Sequence, residues 1–340
     1  MSGIAPYDAL LLDLDGTVWA GGDSIPHAVE NINACAATGT AVAYVTNNAS
    51  KGPDEVAGKL QAIGLNAAPA DVLTSAQAAA LLAQRHAEPG ANVLVVGADS
   101  FKDLVRDAGF NVVDSADDDP AVVLHGHNPD TGWRQLSEAA LSIRKGAVYL
   151  ASNLDSTLPA ERGFMVGNGS MVAAVSNATG VVPAAAGKPG RAMFDLAQET
   201  LGVHKPLVVG DRLDTDIAGG VAAEMDTLHV LTGVSGPKAL IAAPVEQRPT
   251  FIAEDMRVLT ECAGNFSSLA PAPQGGFSVS VEGDGAGDTV IILGGGNEDS
   301  TWLQALRTVL SAVWSFDEPA INVQVKAASP AAEAAIEAWW

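Results

Sequence analysis

The sequence predicts an α/β protein built on a doubly wound parallel sheet. Three observations carry that expectation. Short apolar runs of the kind that form fully buried strands recur along the first 260 or so residues. Helical stretches alternate with them, the pattern of a parallel sheet with crossover helices. Polar residues gather just past the strand ends, where open α/β sheets carry their sites.

Taken in order, "YDALLLDLD" (7–15) reads as a buried strand, followed by a helix over 26–38. "TAVAYVTNN" (40–48) is the next strand and "DEVAGKLQAIG" (54–64) the next helix. Strands are expected at 91–97, 121–126 and 146–152, with helices at 75–86, 99–108 and 131–144. "PLVVGDRLDTDIAGG" (206–220) reads as strand, loop and helix, and "DTLHVLTG" (226–233) as a further strand. "AGNFSSLAPAPQGG" (263–276) has the Pro, Gly and Ser content of a linker. Beyond it the pattern gives strands at 277–283 and 288–293, a helix at 300–313, a strand at 320–326 and a helix at 329–339, a small α+β module. No internal repeat interrupts this order.

The 340 residues suffice for about two domains. The net charge of −22 argues against a nucleic-acid partner, which needs Lys and Arg to replace phosphate counterions, and against an anionic membrane surface. An anionic substrate would need positive charge supplied locally. Cys35 and Cys262 form no CxxC or Cys/His cluster, so two ordinary thiols in a reducing compartment are expected. No apolar stretch is long enough to span a bilayer, and the N-terminus lacks the basic region of a signal peptide. A cytoplasmic protein is expected.

"LLDLDGTVW" (11–19) breaks its apolar run with Asp13 and Asp15. Thr46 and Asn47 end the second strand, Lys188 precedes a helix in "GKPGRAMFDLA", and Asp211 and Asp216 follow another strand in "GDRLDTD". Each pattern alone has an ordinary reading. Thr46 and Asn47 could cap the helix near Pro53, Lys188 could be an exposed lysine, and "GDRLDTD" a solvated helix start. All four in order, each at a strand end or helix start, fit a site better. Clustered carboxylates repel unless a cation joins them, and magnesium takes carboxylate, carbonyl and water oxygens together with a substrate phosphate. Asp13 could then attack phosphorus, and Asp15 could protonate the leaving alkoxide. Thr46, Asn47 and Lys188 would hold the phosphoryl oxygens, while Gly16 lets the chain turn beside them.

These motifs resemble the haloacid-dehalogenase-like phosphohydrolase superfamily, with "DLDGT", "VTNN", "GKP" and "GDRLDTDI" matching its four motifs in order over about residues 5–260. Their wording is similar to the branch containing phosphoglycolate, glycerol-3-phosphate and p-nitrophenyl phosphatases. The resemblance implies a Rossmann-like core of residues 1–74 and 183–262, with an α/β cap inserted at 75–182 and the module of 277–340 appended. It implies Asp13 as nucleophile and Asp15 as general acid/base. Magnesium would be bound by Asp13, the Asp15 backbone carbonyl and Asp211, with Asp216 in support. An acidic residue at position 15 favours a phosphatase or phosphomutase over a dehalogenase, whose halide leaving group needs no acid.

A cap of that size implies a small phosphorylated metabolite as substrate. Glycerol 3-phosphate is favoured, 2-phosphoglycolate or a sugar or nucleotide phosphate being the alternatives. A non-catalytic metabolite-binding or assembly protein is the competing class. Within the cap, Asn153, Asp155 and "GNGS" (167–170) are expected to face substrate, beside Asn48 of the core; "GNGS" could equally be a turn capped by Asn168 or Ser170. His125 and His127 are expected in a polar loop, contact with substrate being the alternative. The family often pairs through the cap, which implies a homodimer. In the module, "GGGNEDSTW" has the form of a phosphate loop without the GK[ST] ending, so a tight turn with Asp299 or Ser300 capping the helix is expected. Trp302, Trp314, Trp339 and Trp340 suggest packing or a partner surface.

Overall fold

The computed structural model describes residues 4–160, 162–262, 265–283, 288–316 and 322–339. Trp340 and the first two residues of the expected linker lie outside them. In chain order the elements begin with β1 (Ala9–Leu12), the short hairpin β2 (Trp19–Ala20) and β3 (Asp23–Ser24), α1 (Ala28–Ala37), β4 (Ala41–Thr46) and α2 (Pro53–Ala62). Next come β5 (Val72–Thr74), α3 (Ser75–Ala83), β6 (Asn92–Val96), α4 (Asp99–Asp107), β7 (Asn111–Val113), β8 (Val122–His125), α5 (Trp133–Arg144) and β9 (Val148–Ala151). The hairpin β10 (Thr157–Ala160) and β11 (Gly163–Val166) leads to α6 (Asn168–Thr179), β12 (Ala184–Ala185), α7 (Ala192–Leu201), β13 (Pro206–Gly210), α8 (Ala218–Ala222) and β14 (Asp226–Val230). The last part holds α9 (Pro237–Ile241), β15 (Phe251–Ala253), α10 (Val258–Glu261), β16 (Phe277–Glu282), β17 (Thr289–Gly295), α11 (Trp302–Val313), β18 (Val323–Ala327) and α12 (Pro330–Glu337).

Local chemistry explains several boundaries. Pro53 opens α2 at a position whose missing N–H costs nothing. Thr74 opens α3 through a capping box with Gln77. Gly180 and Gly202 end α6 and α7 in the left-handed conformation. The composition did not reveal β5, β7, β12 or β15, which are two or three residues long and owe their pairing to neighbouring strands.

The largest sheet has the order β15-β14-β13-β1-β4-β5, and its β1–β13, β13–β14, β14–β15 and β4–β5 ladders are parallel. All four residues of β1 are buried, as a strand inside a parallel sheet requires. By contacts the chain forms two compact units, one of residues 1–20, 24–42 and 203–340, the other of 21–23 and 43–202, so that β4 begins in the first and ends in the second.

In the first unit, register pairs Leu12 with Val209, so β1 and β13 end side by side. The antiparallel β16–β17 and parallel β17–β18 ladders form a three-stranded sheet. Its helices do not close a separate core. Leu306, Val309 and Leu310 of α11 belong to the same buried cluster as Leu213, Ile217, Leu240, Ile241 and Ile252. The segment read as a linker is also partly buried: Phe266 and Leu269 lie in a tight helical turn, and Phe266 packs edge-on against Tyr7 at 5.3 Å. The cap of α11 is Thr301, whose hydroxyl accepts the Gln304 N–H, and not Asp299 or Ser300. The Ser300 hydroxyl is spent on the Gly275 carbonyl, which removes it from the helix end.

In the second unit a parallel sheet of order β12-β9-β8-β6-β7 is covered by α5 and α6, with Ala139, Ile143, Val172 and Val175 against Leu94, Val96, Val123 and Tyr149. Among the described residues no helix is long and apolar enough to cross a membrane.

Candidate active site

In the first unit, parallel strands end together, and the residues just past them converge. Asp13 follows β1, its N–H donating to the Val209 carbonyl at 2.9 Å. Asp211 follows β13, and Asp216 lies one helical turn on. One oxygen from each of these three carboxylates lies within 4.8 Å of the others, and Asp211 and Asp216 are buried. Ionised carboxylates so close and so dry repel one another, and a divalent cation that prefers oxygen ligands relieves this. The donor set therefore fits magnesium.

The polypeptide wraps Asp211 closely. Its Oδ1 accepts the Thr17 hydroxyl at 3.2 Å and its Oδ2 the Val234 N–H at 2.7 Å. Ser235 ties the same loop down, its N–H donating to the Asp211 carbonyl and its hydroxyl accepting the Leu213 N–H. Gly16 is obligatory here. Its φ is +91°, and a Cβ would stand 2.5 Å from the Asp211 carboxylate. Its carbonyl accepts the Thr232 hydroxyl at 2.7 Å. Asp15, on the same turn, is exposed, and its Oδ1 accepts the indole N–H of Trp19 at 2.9 Å. The imidazole of His229 is buried, which pushes its pKa down to about 4, so the neutral ring meets the Ser235 carbonyl at 2.8 Å through Nε2.

In the second unit, Thr46 ends β4, and its hydroxyl accepts the Asn48 N–H. The Asn48 carboxamide oxygen closes a turn by accepting both the N–H and the hydroxyl of Ser50. Lys188 is 3% exposed, and its ammonium donates to the Val45 carbonyl at 3.0 Å. Asn47 bonds both to the Lys188 backbone and to the Asp155 carboxylate. Asn153 is buried, donates to the Asn47 carbonyl at 2.7 Å and accepts the Asp155 N–H. The structure thus gathers Asn47, Asn153, Asp155 and Lys188 into one hydrogen-bonded group. Gly187 makes room for it, because a Cβ there would meet the Asn47 Oδ1 at 2.6 Å.

Two expectations need correction. His125 is not in a polar loop: it is the last residue of β8, fully buried, with Nδ1 2.8 Å from the Tyr149 hydroxyl and a pKa pushed down to about 4 by burial. The strand expected at 121–126 ends at this residue, which points into the core and is fully covered. Neither Asn168 nor Ser170 caps α6, whose N-cap is Gly167. Asn168 is buried and donates to the carbonyls of Asn153 and His125, and Ser170 donates to that of Ser156. Thr17, Trp19 and the 232–235 loop also belong to the site, beyond the residues that the motifs single out. Thr17 is visible as the last letter of "DLDGT", whereas nothing local marks the loop that reaches Asp211 from more than twenty residues away.

Residues 10–111 match a family model described as haloacid dehalogenase-like hydrolase, and residues 185–259 a second one described as HAD-hydrolase-like. The D-glycerol 3-phosphate phosphatase of Mycobacterium tuberculosis (strain ATCC 25618 / H37Rv) is 41% identical over 340 residues, 98% of this chain and 94% of that protein. The chain belongs to the haloacid dehalogenase-like hydrolases. Another hydrolase of this kind, an acid sugar phosphatase of Staphylococcus aureus (strain MRSA252), is 39% identical over 67% of this chain and 88% of its own length. Among solved structures, the glycerol phosphate phosphatase from Mycobacterium tuberculosis in complex with magnesium matches with a TM-score of 0.91 at 40% identity, over 100% of this chain and 98% of that one. A p-nitrophenyl phosphatase from Archaeoglobus fulgidus matches with a TM-score of 0.70 at 27% identity, over 75% of this chain and 99% of that one. The match to the first of these hydrolases takes in the C-terminal sheet and helices as well as the four motifs.

Proposed function

We propose that this protein is a magnesium-dependent phosphatase that hydrolyses glycerol 3-phosphate to glycerol and inorganic phosphate. The observation that carries this reading is the Asp13, Asp211 and Asp216 cluster in a chain similar from end to end to a D-glycerol 3-phosphate phosphatase. Asp13 is assigned as nucleophile: its carboxylate oxygen bonds to phosphorus as the bond from phosphorus to the glycerol oxygen breaks. Asp15, protonated, gives its proton to that leaving oxygen. As a carboxylate it then takes a proton from water, whose oxygen attacks the aspartyl-phosphate. The bond from phosphorus to Asp13 breaks, phosphate leaves, and both side chains return to their starting states. Asp13, Asp211, Asp216 and the Asp15 backbone carbonyl would hold magnesium, which when bound offsets the carboxylate and phosphoryl charge. Thr46 and Lys188 are assigned to the phosphoryl group, and Asn47 to holding Lys188 in place. Lys188 supplies local positive charge in a chain whose net charge is −22. Gly16, Asn48 and Asn153 complete the substrate-facing set. Residues 75–182 are assigned as the cap, with pairing of two subunits through it and a cytoplasmic location.

The test is phosphate release from glycerol 3-phosphate, measured beside 2-phosphoglycolate, sugar phosphates and nucleotides. Turnover is expected to stop in EDTA, return with magnesium, recover poorly with calcium, and vanish in Asp13→Asn. Faster turnover of another phosphate ester moves the assignment to that ester. No release from any of them with magnesium present would leave the non-catalytic reading in its place.

A further inference from the structure

The Asn47 carboxamide is already occupied within the protein. Its Oδ1 accepts the Lys188 N–H at 2.8 Å. Its Nδ2 donates to the Lys188 carbonyl at 3.0 Å and to the two Asp155 carboxylate oxygens at 3.3 and 3.2 Å. A primary amide carries two hydrogens, and both have acceptors here. Its backbone carbonyl accepts from the Ser75 hydroxyl at 2.6 Å and from Asn153 Nδ2 at 2.7 Å. No carboxamide hydrogen remains for a phosphoryl oxygen.

Lys188 is correspondingly fixed at three points by the end of one strand. Asn47 holds its N–H and its carbonyl, and the Val45 carbonyl, two residues back, takes its ammonium. The lysine is also buried, so its long side chain has surrendered the rotamer freedom that an exposed lysine keeps. Asp155 lies on the loop after β9, more than a hundred residues from Asn47 in sequence, and the same carboxamide holds it. The Asn153 side chain bonds the Asn47 carbonyl and the Asp155 N–H, so the loop is anchored twice to one residue.

We infer that Asn47 is a positioning residue: its carboxamide couples the Asp155 loop to the backbone of Lys188, and the Asp155 carboxylate acts as the anchor of this link, not as a direct contact to substrate. The inference deepens the phosphatase reading and rests on it. Lys188 must meet developing negative charge at a fixed distance, and electrostatic stabilisation of that kind depends on preorganisation. A link from the loop to the lysine lets whatever seats the loop also set the lysine. Asn47 thereby affects catalysis through Lys188.

A reciprocal exchange tests this. Asn47→Asp keeps an acceptor for the Lys188 N–H but sets a carboxylate against Asp155, and kcat is expected to fall about a hundredfold with little change in KM. Asp155→Asn alone should cost about tenfold. The double variant Asn47→Asp/Asp155→Asn restores an amide–carboxylate pair with the donor moved to position 155, and should recover at least tenfold over Asn47→Asp. A double variant no better than the product of the two single losses would overturn the inference. So would Asn47→Asp with full kcat and a raised KM, the mark of a side chain that simply binds substrate. Urea unfolding of the same four proteins reads the coupling without activity: the exchange should be more stable than the sum of the single effects predicts, and additivity there also counts against the link. A wild-type protein with no turnover would fail the phosphatase reading, and the unfolding cycle would still decide whether the link exists.

Discussion

The exposed carboxylate of Asp15 is held by one neutral donor, the indole N–H of Trp19, at 2.9 Å. Trp19 itself is buried, and the turn between the two is closed by the Gly16 N–H on the Trp19 carbonyl and the Trp19 N–H on the Leu14 carbonyl. A stiff turn and a fixed ring thus aim a group that would otherwise choose among rotamers. A proton donor works only within hydrogen-bond reach of the atom it serves, so the orientation bears on rate. Trp19→Phe keeps an aromatic side chain, smaller than the indole, and loses the N–H. Its kcat should fall about tenfold for glycerol 3-phosphate, whose alkoxide needs a proton, and much less for p-nitrophenyl phosphate, whose leaving group hardly needs one. Equal losses on the two esters, in a variant with unchanged melting, would remove Trp19 from any role in aiming Asp15.

Two strands carry a fully buried histidine, β8 with His125 and β14 with His229. A parallel strand covered on both faces offers no water to a charged ring, and burial lowers both pKa values to about 4. In the unfolded chain each would titrate near its ordinary 6.5. Between these values the unfolded state binds more protons, so each histidine contributes stability that is present above pH 6.5 and is lost as pH falls. At pH 5 the loss is about 2 kcal/mol per histidine. Denaturant unfolding at pH 7 and pH 5 should show His125→Asn with a smaller drop than wild type by about that amount. An identical drop would mean that the ring is protonated in the fold.

At the scale of the whole molecule, the C-terminal sheet and helices are part of the unit that bears Asp13 and Asp211. Arg307, buried on α11, donates to the Ile252 carbonyl through Nε and Nη2 and to the Ser268 carbonyl at 3.1 Å through Nη1. The Trp314 indole N–H donates to the Leu240 carbonyl, and the Arg248 guanidinium sits 5.8 Å from the Trp314 ring centre. Ending the chain at residue 262 would bare the apolar cluster of Leu213, Ile217, Leu240 and Ile241 and leave the Ile252 carbonyl without its guanidinium donors. Burial of several large apolar side chains is worth about 2 kcal/mol each, against a total stability on the order of 10 kcal/mol. The shortened protein should therefore aggregate or melt more than ten degrees lower, with turnover lost along with the fold. A soluble truncation with wild-type melting would make the module an independent domain.

The sequence by itself determined the parallel α/β class, the order of the longer strands and helices, and the residues of the four motifs. Apolar runs and strand-end polar residues are local patterns, and both survive any particular packing. It also placed Asp13, Asp211 and Asp216 together, because residues that follow neighbouring parallel strands must emerge at one end of the sheet. Only the tertiary structure decided what those side chains touch. Thr17 meets Asp211 across 194 residues, Asn47 meets Lys188 across 141, and Asp155 reaches Asn47 across 108. A carboxamide reads the same in sequence whether its hydrogens face a phosphate or a neighbouring loop, and a linker composition reads the same whether or not Phe266 finds Tyr7. Hydrogen bonds and packing of that kind depend on distances of a few ångströms between segments far apart in the chain, which the local pattern of residues does not encode.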